Sequence, residues 1–203
     1  MTTPPAKLVV LASGYGSNFQ AVIDACKAEV INAHVCALVT DQKEAYCLTR
    51  ARTEDIKSMI YPKFKAVSRQ AYDQGLADLV TVFKPDWVLL LGWMRILSGA
   101  FLDQFPGKVI NMHPALPGKF PGVNAIERAF AAFQEGEVNE TGVMLHFVPD
   151  EGVDDGPVIT QATVRIFMSD TLETLKKRIH DTEHALLVST LQSLCKVGQP
   201  ALI

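Results

Sequence analysis

The chain alternates short apolar runs with longer stretches in which apolar residues recur at helical spacing. In residues 17–27, for example, Phe19, Val22, Ile23 and Cys26 share one face of a predicted helix. The pattern predicts strands at residues 7–12, 33–39, 57–61, 87–91, 108–112, 142–148 and 157–167. It predicts helices at residues 17–27, 43–52, 68–83, 125–134 and 171–194.

Repeated alternation of strands and helices is typical of α/β proteins and predicts a mostly parallel, Rossmann-like sheet with helices on both faces. The chain has 203 residues, 48% of them hydrophobic, which is enough for one sizeable core. No repeat, low-complexity tract or linker divides it, so we predict one domain over residues 1–203. Ligands of such sheets bind outside the carboxyl ends of the strands. The loops after residues 7–12 and 108–112 are therefore the first candidates for a site.

Composition narrows the class of protein. The net charge of −3 provides no general attraction to nucleic acid or to an anionic membrane. The longest apolar run, residues 87–94, is too short to span a bilayer, and the first residues show no signal-peptide pattern. The four cysteines are scattered, which argues against a disulfide framework or a structural zinc site. We therefore expect a cytoplasmic protein with reduced thiols and without nucleic-acid or membrane partners.

The loop after the first predicted strand combines two glycines with polar residues at a helix start. Gly14 and Gly16 permit a tight turn, and Ser17 and Asn18 offer donors where the helix dipole favours anions. The third glycine of a dinucleotide fingerprint is replaced by Phe19, and the Gly-Lys-Ser/Thr run of a P-loop is missing. The spacing is equally consistent with a site for one phosphate and with a plain turn capped by Ser17.

The second loop follows a strand that ends in a histidine. Alternate residues of a strand share a face, so Asn111 and His113 point one way while Ile110 and Met112 point into apolar packing. An amide and an imidazole together can stabilise an oxyanion or relay a proton. A histidine that is charged near neutral pH needs a nearby carboxylate, and the acidic loop at residues 149–157 supplies several. For most of these carboxylates a solvated turn is the alternative.

Other polar residues fit structural interpretations better. His180 and His184 are four residues apart on the last predicted helix, but no third metal ligand is apparent, so surface polarity is the better interpretation. His34 and His146 lie inside predicted strands and are interpreted as structural. Asp41 follows the second strand, where a ribose-binding acid would lie, and this keeps a nucleotide-binding module open as an alternative. We expect no metal site.

Several motifs together resemble the phosphoribosylglycinamide formyltransferases, over about residues 7–192. They are SGYGSNFQA, SRQAYD, GWMRIL, NMHPALPGKFPG, ETGVMLHFV and DEGVDDGP. The Asn-x-His-Pro segment is shared by the wider formyltransferase superfamily, whereas GYGSN and the compact length favour this family. The resemblance implies the formyltransferase fold and small-molecule substrates: a formyl group would pass from 10-formyltetrahydrofolate, a co-substrate, to glycinamide ribonucleotide in purine synthesis. It implies no metal, and we expect a monomer or homodimer.

The resemblance also implies site residues. The implied catalytic residues are Asn111, His113 and Asp154. The implied ribonucleotide contacts are Gly16, Ser17, Asn18, Pro114 and Glu183. The implied folate contacts are Arg69, Met94, Arg95, Ile96, Leu97, Asn111, Asp150, Glu151, Gly152, Val153 and Asp154. The N-terminal half is expected to bind the ribonucleotide, and the C-terminal half to bind folate and perform the chemistry.

The chain departs from the family pattern at several points, one of which is a helix at residues 125–134 about one turn longer than is usual in the family. After His113-Pro114 the family usually has Ser-Leu-Leu-Pro, whereas residues 115–118 are Ala-Leu-Pro-Gly. Pro149 lengthens the acidic loop, and Asp155 stands where glycine or threonine is common, so the partner of His113 is Asp154 or its neighbour. We favour Asp154. The competing hypotheses are a formyl hydrolase, a sugar-amine formyltransferase and a non-enzymatic nucleotide-binding module.

Overall fold

The computed structural model describes residues 4–196, so both ends of the predicted domain, residues 1–3 and 197–203, lie outside the described residues. The strands are β1 (Ala6–Leu11), β2 (Ala33–Thr40), β3 (Ser58–Ile60), β4 (Trp87–Leu90), β5 (Val109–His113), β6 (Glu140–Phe147) and β7 (Val158–Arg165). The helices are α1 (Ser17–Lys27), α2 (Cys47–Thr53), α3 (Arg69–Thr81), α4 (Gly99–Leu102), α5 (Ala125–Gln134) and α6 (Leu172–Leu194).

All these strands join one sheet in the order β3-β2-β1-β4-β5-β6-β7. The pairs among β1 to β5 are parallel, whereas β6 runs antiparallel to both β5 and β7. The prediction of a mostly parallel sheet is confirmed. The order reverses direction at β1, because β2 pairs with one edge of β1 and β4 with the other. The loops after β1 and β4 therefore border the crevice where α/β sheets bind ligands.

Two apolar clusters cover the two faces of the sheet. Leu8 and Val10 of β1 pack in the first cluster, and Val9 and Leu11 pack in the second. Helices α1, α5 and α6 contribute to the first cluster, and α3 and α4 contribute to the second. Central strands with both faces buried need near-continuous apolar sequence, which is why "VVL" and "WVLL" lack a polar alternate position.

Most predicted boundaries agree with the structure, and the exceptions have local causes. Helices α1 and α5 have the predicted bounds, whereas α2 begins at Cys47 rather than at residue 43. Helix α4 was not predicted, because a single turn is too short to show a 3.6-residue period. Among residues 4–196 no helix combines the length and the apolar character needed to cross a membrane.

Candidate active site

Strand β5 brings Asn111 and His113 to the carboxyl end of the sheet. Their neighbours Ile110 and Met112 are buried in the first apolar cluster, on the opposite face of the strand, as predicted. His113 is itself only 3% exposed. The strand therefore presents two polar side chains on one face because its other face is fixed by the core.

The carboxylate of Asp154 connects these two side chains. Its Oδ1 accepts a hydrogen bond from Nδ2 of Asn111 at 2.9 Å. Its Oδ2 lies 3.2 Å from Nδ1 of His113 and accepts a hydrogen bond of 2.7 Å from the backbone N–H of Gly122. Asp155 is exposed. The structure thus brings together the three residues predicted from the sequence and places Asp154, not Asp155, against His113.

The backbone of the acidic loop explains how Asp154 reaches the strand end. Asp154 has a φ of 54°, a left-handed conformation that aspartate and asparagine tolerate better than most residues. At Gly156 a Cβ would collide with the carbonyl oxygen of Phe147, so only glycine fits where the chain enters β7. The two ends of the loop are joined by a 2.9 Å hydrogen bond from the N–H of Phe147 to the carbonyl oxygen of Pro157. Local strain and close packing therefore aim this one carboxylate inward.

His146 also belongs to this cluster, although its position inside a strand had suggested a purely structural residue. It lies opposite Asn111 in the antiparallel β5–β6 pair and is 2% exposed. Its Nε2 is 3.1 Å from Nδ2 of Asn111 and 3.6 Å from Oδ1 of Asp154, and its Nδ1 is 2.8 Å from Phe147 O. Because Nδ1–H donates to that carbonyl, Nε2 is the atom that accepts from Asn111.

The Asn111 amide is consequently held on two sides. Its two N–H hydrogens are directed at Asp154 and His146. A hydrogen bond to an imidazole nitrogen is weaker than a hydrogen bond to an anion. One hydrogen of the amide can therefore be redirected when negative charge develops in the site.

The pKa of His113 differs from the expectation that a nearby carboxylate keeps this histidine charged near neutral pH. Burial lowers the pKa of His113, and the attraction of Asp154 and the Phe120 carbonyl only partly oppose this. Burial raises the pKa of Asp154, but the nearby His146 ring, the backbone N–H of Gly122 and the charge of His113 more than compensate, so its net pKa is lowered. Asp154 is thus an anion at neutral pH, whereas it does not by itself keep His113 charged.

The two ring nitrogens of His113 nevertheless both face acceptors. Nδ1 faces Asp154, and Nε2 lies 3.2 Å from the carbonyl oxygen of Phe120. A neutral ring donates to only one of these oxygens, whereas a protonated ring donates to both. The two acceptors favour the protonated form of His113, whereas burial disfavours it. Additional negative charge on a reacting group would raise the pKa of His113 and favour protonation.

The first loop is built around Gly16. This residue, with a φ of 75°, is the N-cap of α1, so the alternative in which Ser17 caps the helix is wrong. A Cβ on Gly16 would lie 2.7 Å from Cβ of Cys47, which explains why the turn needs glycine. Asn18 donates from Nδ2 to Oε2 of Glu183 at 3.2 Å. Predicted ribonucleotide contacts from opposite ends of the chain therefore meet here.

Glu183 is 4% exposed and is fixed by a second partner as well. Nδ1 of His180 lies 2.8 Å from the same Oε2, and this contact raises the pKa of His180 above its ordinary value. His180 is therefore held against a buried carboxylate. Among residues 4–196 no group of three or more histidine, cysteine, aspartate or glutamate side chains is placed to hold a metal ion.

The predicted folate contacts after β4 divide into two kinds. Met94 and Ile96 are exposed, whereas Leu97 is 2% exposed and packs in the second apolar cluster. Arg95 donates from Nε to Oδ2 of the buried Asp41 at 2.7 Å. The carboxylate expected to bind a ribose in a nucleotide-binding module is thus occupied by an ion pair. Leu97 and Arg95 fix the segment, and Met94 and Ile96 are the side chains it presents.

The remaining predicted folate contacts lie on the loop before β7 and at the start of α3. Asp150, Glu151, Gly152 and Val153 are all exposed. Glu151 forms an ion pair with Arg69 and accepts a 3.1 Å bond from the N–H of Gly99. These contacts tie the acidic loop to helices α3 and α4. Pro114, a predicted ribonucleotide contact, directly follows His113 and is partly buried.

Comparison with known proteins identifies the family. The formyl transferase family profile matches residues 6–191. The phosphoribosylglycinamide formyltransferase of Dictyostelium discoideum is 37% identical over 92% of this chain and 97% of its own. The Escherichia coli protein of the same name is 41% identical over 88% and 82%.

Solved structures agree with this result. The phosphoribosylglycinamide formyltransferase of Bacillus halodurans has a TM-score of 0.88 and 35% identity, covering 95% of this chain and 97% of that one. Glycinamide ribonucleotide transformylase 1 of Geobacillus kaustophilus has a TM-score of 0.87 and 37% identity, covering 94% and 99%. The chain therefore belongs to the phosphoribosylglycinamide formyltransferase family and is a formyl-transferring enzyme.

Proposed function

We propose that this enzyme transfers the formyl group of 10-formyltetrahydrofolate to the amine of glycinamide ribonucleotide, with Asn111, His113 and Asp154 as its catalytic residues. The products are formylglycinamide ribonucleotide and tetrahydrofolate. The observation that supports the proposal best is the Asp154 carboxylate, which contacts both other side chains at a strand end. Family membership identifies the reaction class, and this cluster supplies chemistry suited to acyl transfer.

In the proposed reaction the ribonucleotide amine attacks the formyl carbon and forms a new carbon–nitrogen bond. The carbonyl electron pair moves onto oxygen, which gives a tetrahedral oxyanion. Collapse of this intermediate restores the carbonyl and breaks the bond to N10 of the folate. The attacking amine loses a proton and N10 gains one, by way of a water molecule. No bond is oxidised or reduced, so the reaction needs no redox cofactor, and the proposal gives no role to a metal ion.

The catalytic residues stabilise the oxyanion in this proposal. The developing negative charge attracts one N–H of Asn111 away from His146, and it favours the protonated form of His113. Asp154 orients both side chains and offsets part of the cost of charging a buried ring. Because these groups are held in place before the reaction, little reorganisation is required when charge appears.

The substrates are assigned to two sides of this centre. We assign the phosphate of the ribonucleotide to Gly16, Ser17 and Asn18, where the first N–H groups of α1 favour an anion. Pro114 and Glu183 are assigned to the rest of the ribonucleotide. The folate is assigned to the surface formed by the residues predicted above, namely Arg69, Met94, Arg95, Ile96, Leu97, Asp150, Glu151, Gly152 and Val153. Leu97 acts there from beneath, since it is buried.

We further propose that the chain forms one domain, whose N-terminal half mainly binds the ribonucleotide and whose C-terminal half mainly binds folate and performs the chemistry. It acts in the cytoplasm on small molecules, as a monomer or homodimer, without nucleic acid. The contact between Asn18 and Glu183 supports a single unit, because it joins the two halves at the ribonucleotide site.

Initial rates with 10-formyltetrahydrofolate and a series of amines test this function. Glycinamide ribonucleotide should be formylated efficiently, and glycinamide riboside, which lacks the phosphate, much less efficiently. A sugar-amine formyltransferase would prefer an amino sugar, and a hydrolase would release formate without any amine. Either of these results would overturn the proposed substrate.

A further inference from the structure

Helix α2 lies against the first loop and holds it by hydrogen bonds to the backbone carbonyls of the loop. The N–H of Cys47 donates to the carbonyl oxygen of Gly14 at 3.1 Å. Nε of Arg50 donates to the carbonyl oxygen of Tyr15 at 3.0 Å. Two consecutive peptide groups of the loop are therefore both bonded to α2.

Arg50 makes further contacts that fix its guanidinium group. Nη1 donates to Oε1 of Gln20 at 3.2 Å, which connects it to the first turns of α1. The group also lies over the rings of Tyr15 and Tyr46, at 4.6 and 5.1 Å from their centroids. Those two rings are stacked, with centroids 4.8 Å apart and planes inclined by 8°. A planar cation with directed donors suits this arrangement better than lysine would.

The bonds to α2 decide where the loop's N–H groups point. In a trans peptide the C=O and the next N–H point in opposite directions, and the described residues contain no cis peptide bond. Because the carbonyls of Gly14 and Tyr15 face α2, the N–H groups of Tyr15 and Gly16 face away from it. Among residues 4–196 no hydrogen-bond acceptor is found for these two N–H groups. They join the first N–H groups of α1 as donors for an anion.

We propose that Arg50 is a positioning residue for the phosphate of the ribonucleotide. It acts through the carbonyl of Tyr15, whose peptide plane it orients so that the N–H of Gly16 points at the phosphate. Its stacking on Tyr15 and Tyr46 and its bond to Gln20 keep the loop in this conformation when no substrate is bound. The inference rests on the proposed function, because it takes the phosphate of glycinamide ribonucleotide as the ligand.

Arg50→Met tests the inference, with Arg52→Met as the matched control. Arg52 is an exposed arginine on the same helix, so its replacement removes the same charge without touching the loop. In Arg50→Met the KM for glycinamide ribonucleotide should rise about tenfold, as expected when a hydrogen bond that orders a charged-ligand site is lost. The KM for 10-formyltetrahydrofolate and kcat should change little. With glycinamide riboside, which has no phosphate, Arg50→Met and wild type should have similar kcat/KM.

A readout independent of activity separates orientation from charge. Backbone ¹⁵N relaxation at Tyr15 and Gly16 should show increased motion in Arg50→Met and no change in Arg52→Met, and binding of inorganic phosphate should weaken only in Arg50→Met. Equal losses with the ribonucleotide and the riboside would overturn the inference, as would an unchanged KM or a loop that stays ordered. Failure of the proposed function is distinguishable, because wild type itself would then not use glycinamide ribonucleotide.

Discussion

Replacing Asp154 with asparagine removes a charge from the centre of the site while changing the shape of the side chain very little. The backbone should accept the change, because asparagine tolerates the positive φ of 54° found at this position. The carboxylate, however, accepts from Asn111 and Gly122 and faces His113. An amide has only one acceptor oxygen, so its NH₂ group must face donors. We therefore expect a local defect in chemistry without unfolding.

The size of the effect follows from the position of His113. The facing atoms are 3.2 Å apart, so at an effective dielectric constant of about 20 the attraction is about 5 kcal/mol before desolvation is subtracted. A close opposite charge shifts a pKa by about 1–3 units, which corresponds to about 1.4–4 kcal/mol. Burial already lowers the pKa of His113, and removing Asp154 lowers it further. If His113 must be protonated for activity, activity is lost as pH rises through its pKa. The basic limb of the pH–activity profile should therefore move to lower pH in Asp154→Asn.

The assay is the pH dependence of kcat and of kcat/KM between about pH 5.5 and 9 for wild type, Asp154→Asn and Asp155→Asn. At pH 7.5 kcat of Asp154→Asn should fall at least about tenfold, with smaller changes in KM. Asp155 is exposed and provides the matched control, which should behave as wild type. If Asp155→Asn lost activity while Asp154→Asn behaved as wild type, the assignment of Asp154 as the partner of His113 would be refuted. A reduced rate with no movement of the basic limb would refute the protonation argument.

Three further predictions concern binding, metal dependence and stability. Asn18→Leu should raise the KM for the ribonucleotide about tenfold and leave the KM for folate nearly unchanged, because a polar side chain that also holds Glu183 is lost from the proposed ribonucleotide site; equal effects would contradict the assignment. Activity should survive dialysis against EDTA, and loss restored by one divalent ion would overturn the mechanism. Asp170 is bonded to Arg178, which holds the pKa of the carboxyl well below its usual range. Asp170→Asn should therefore destabilise the protein at pH 7 in urea titrations, and the difference from wild type should shrink below about pH 4, where the unfolded carboxyl takes up a proton.

The sequence predicted best what depends on periodicity. The alternation in residues 109–113 correctly placed Asn111 and His113 on one face, because the apolar partners Ile110 and Met112 leave no other register. The bounds of α1 followed from its apolar stripe and the glycine loop before it. These features are local: the residues that form the strand or helix are the same residues whose apolar spacing predicts it.

Features that depend on pairing between distant segments were not accessible. His146 joins the site because β6 runs antiparallel to β5 and puts it opposite Asn111, and nothing within β6 reveals that register. Whether Asp154 or Asp155 reaches His113 depends on one left-handed residue in an irregular loop. The lowered pKa of His113 likewise results from its burial by the whole fold. The sequence suggested only the effect of a nearby carboxylate, which would raise this pKa.

The most direct test of the central claim follows the formyl carbon itself. Purified chain is mixed with 10-formyltetrahydrofolate carrying ¹³C in the formyl group and with glycinamide ribonucleotide, and the label is followed by NMR with and without the Asp154→Asn change. The account predicts that the label moves into the formamide of the ribonucleotide, with one tetrahydrofolate released for each transfer, and that Asp154→Asn slows this transfer strongly. Label that appears as free formate, or transfer that is equally fast in Asp154→Asn, would contradict it.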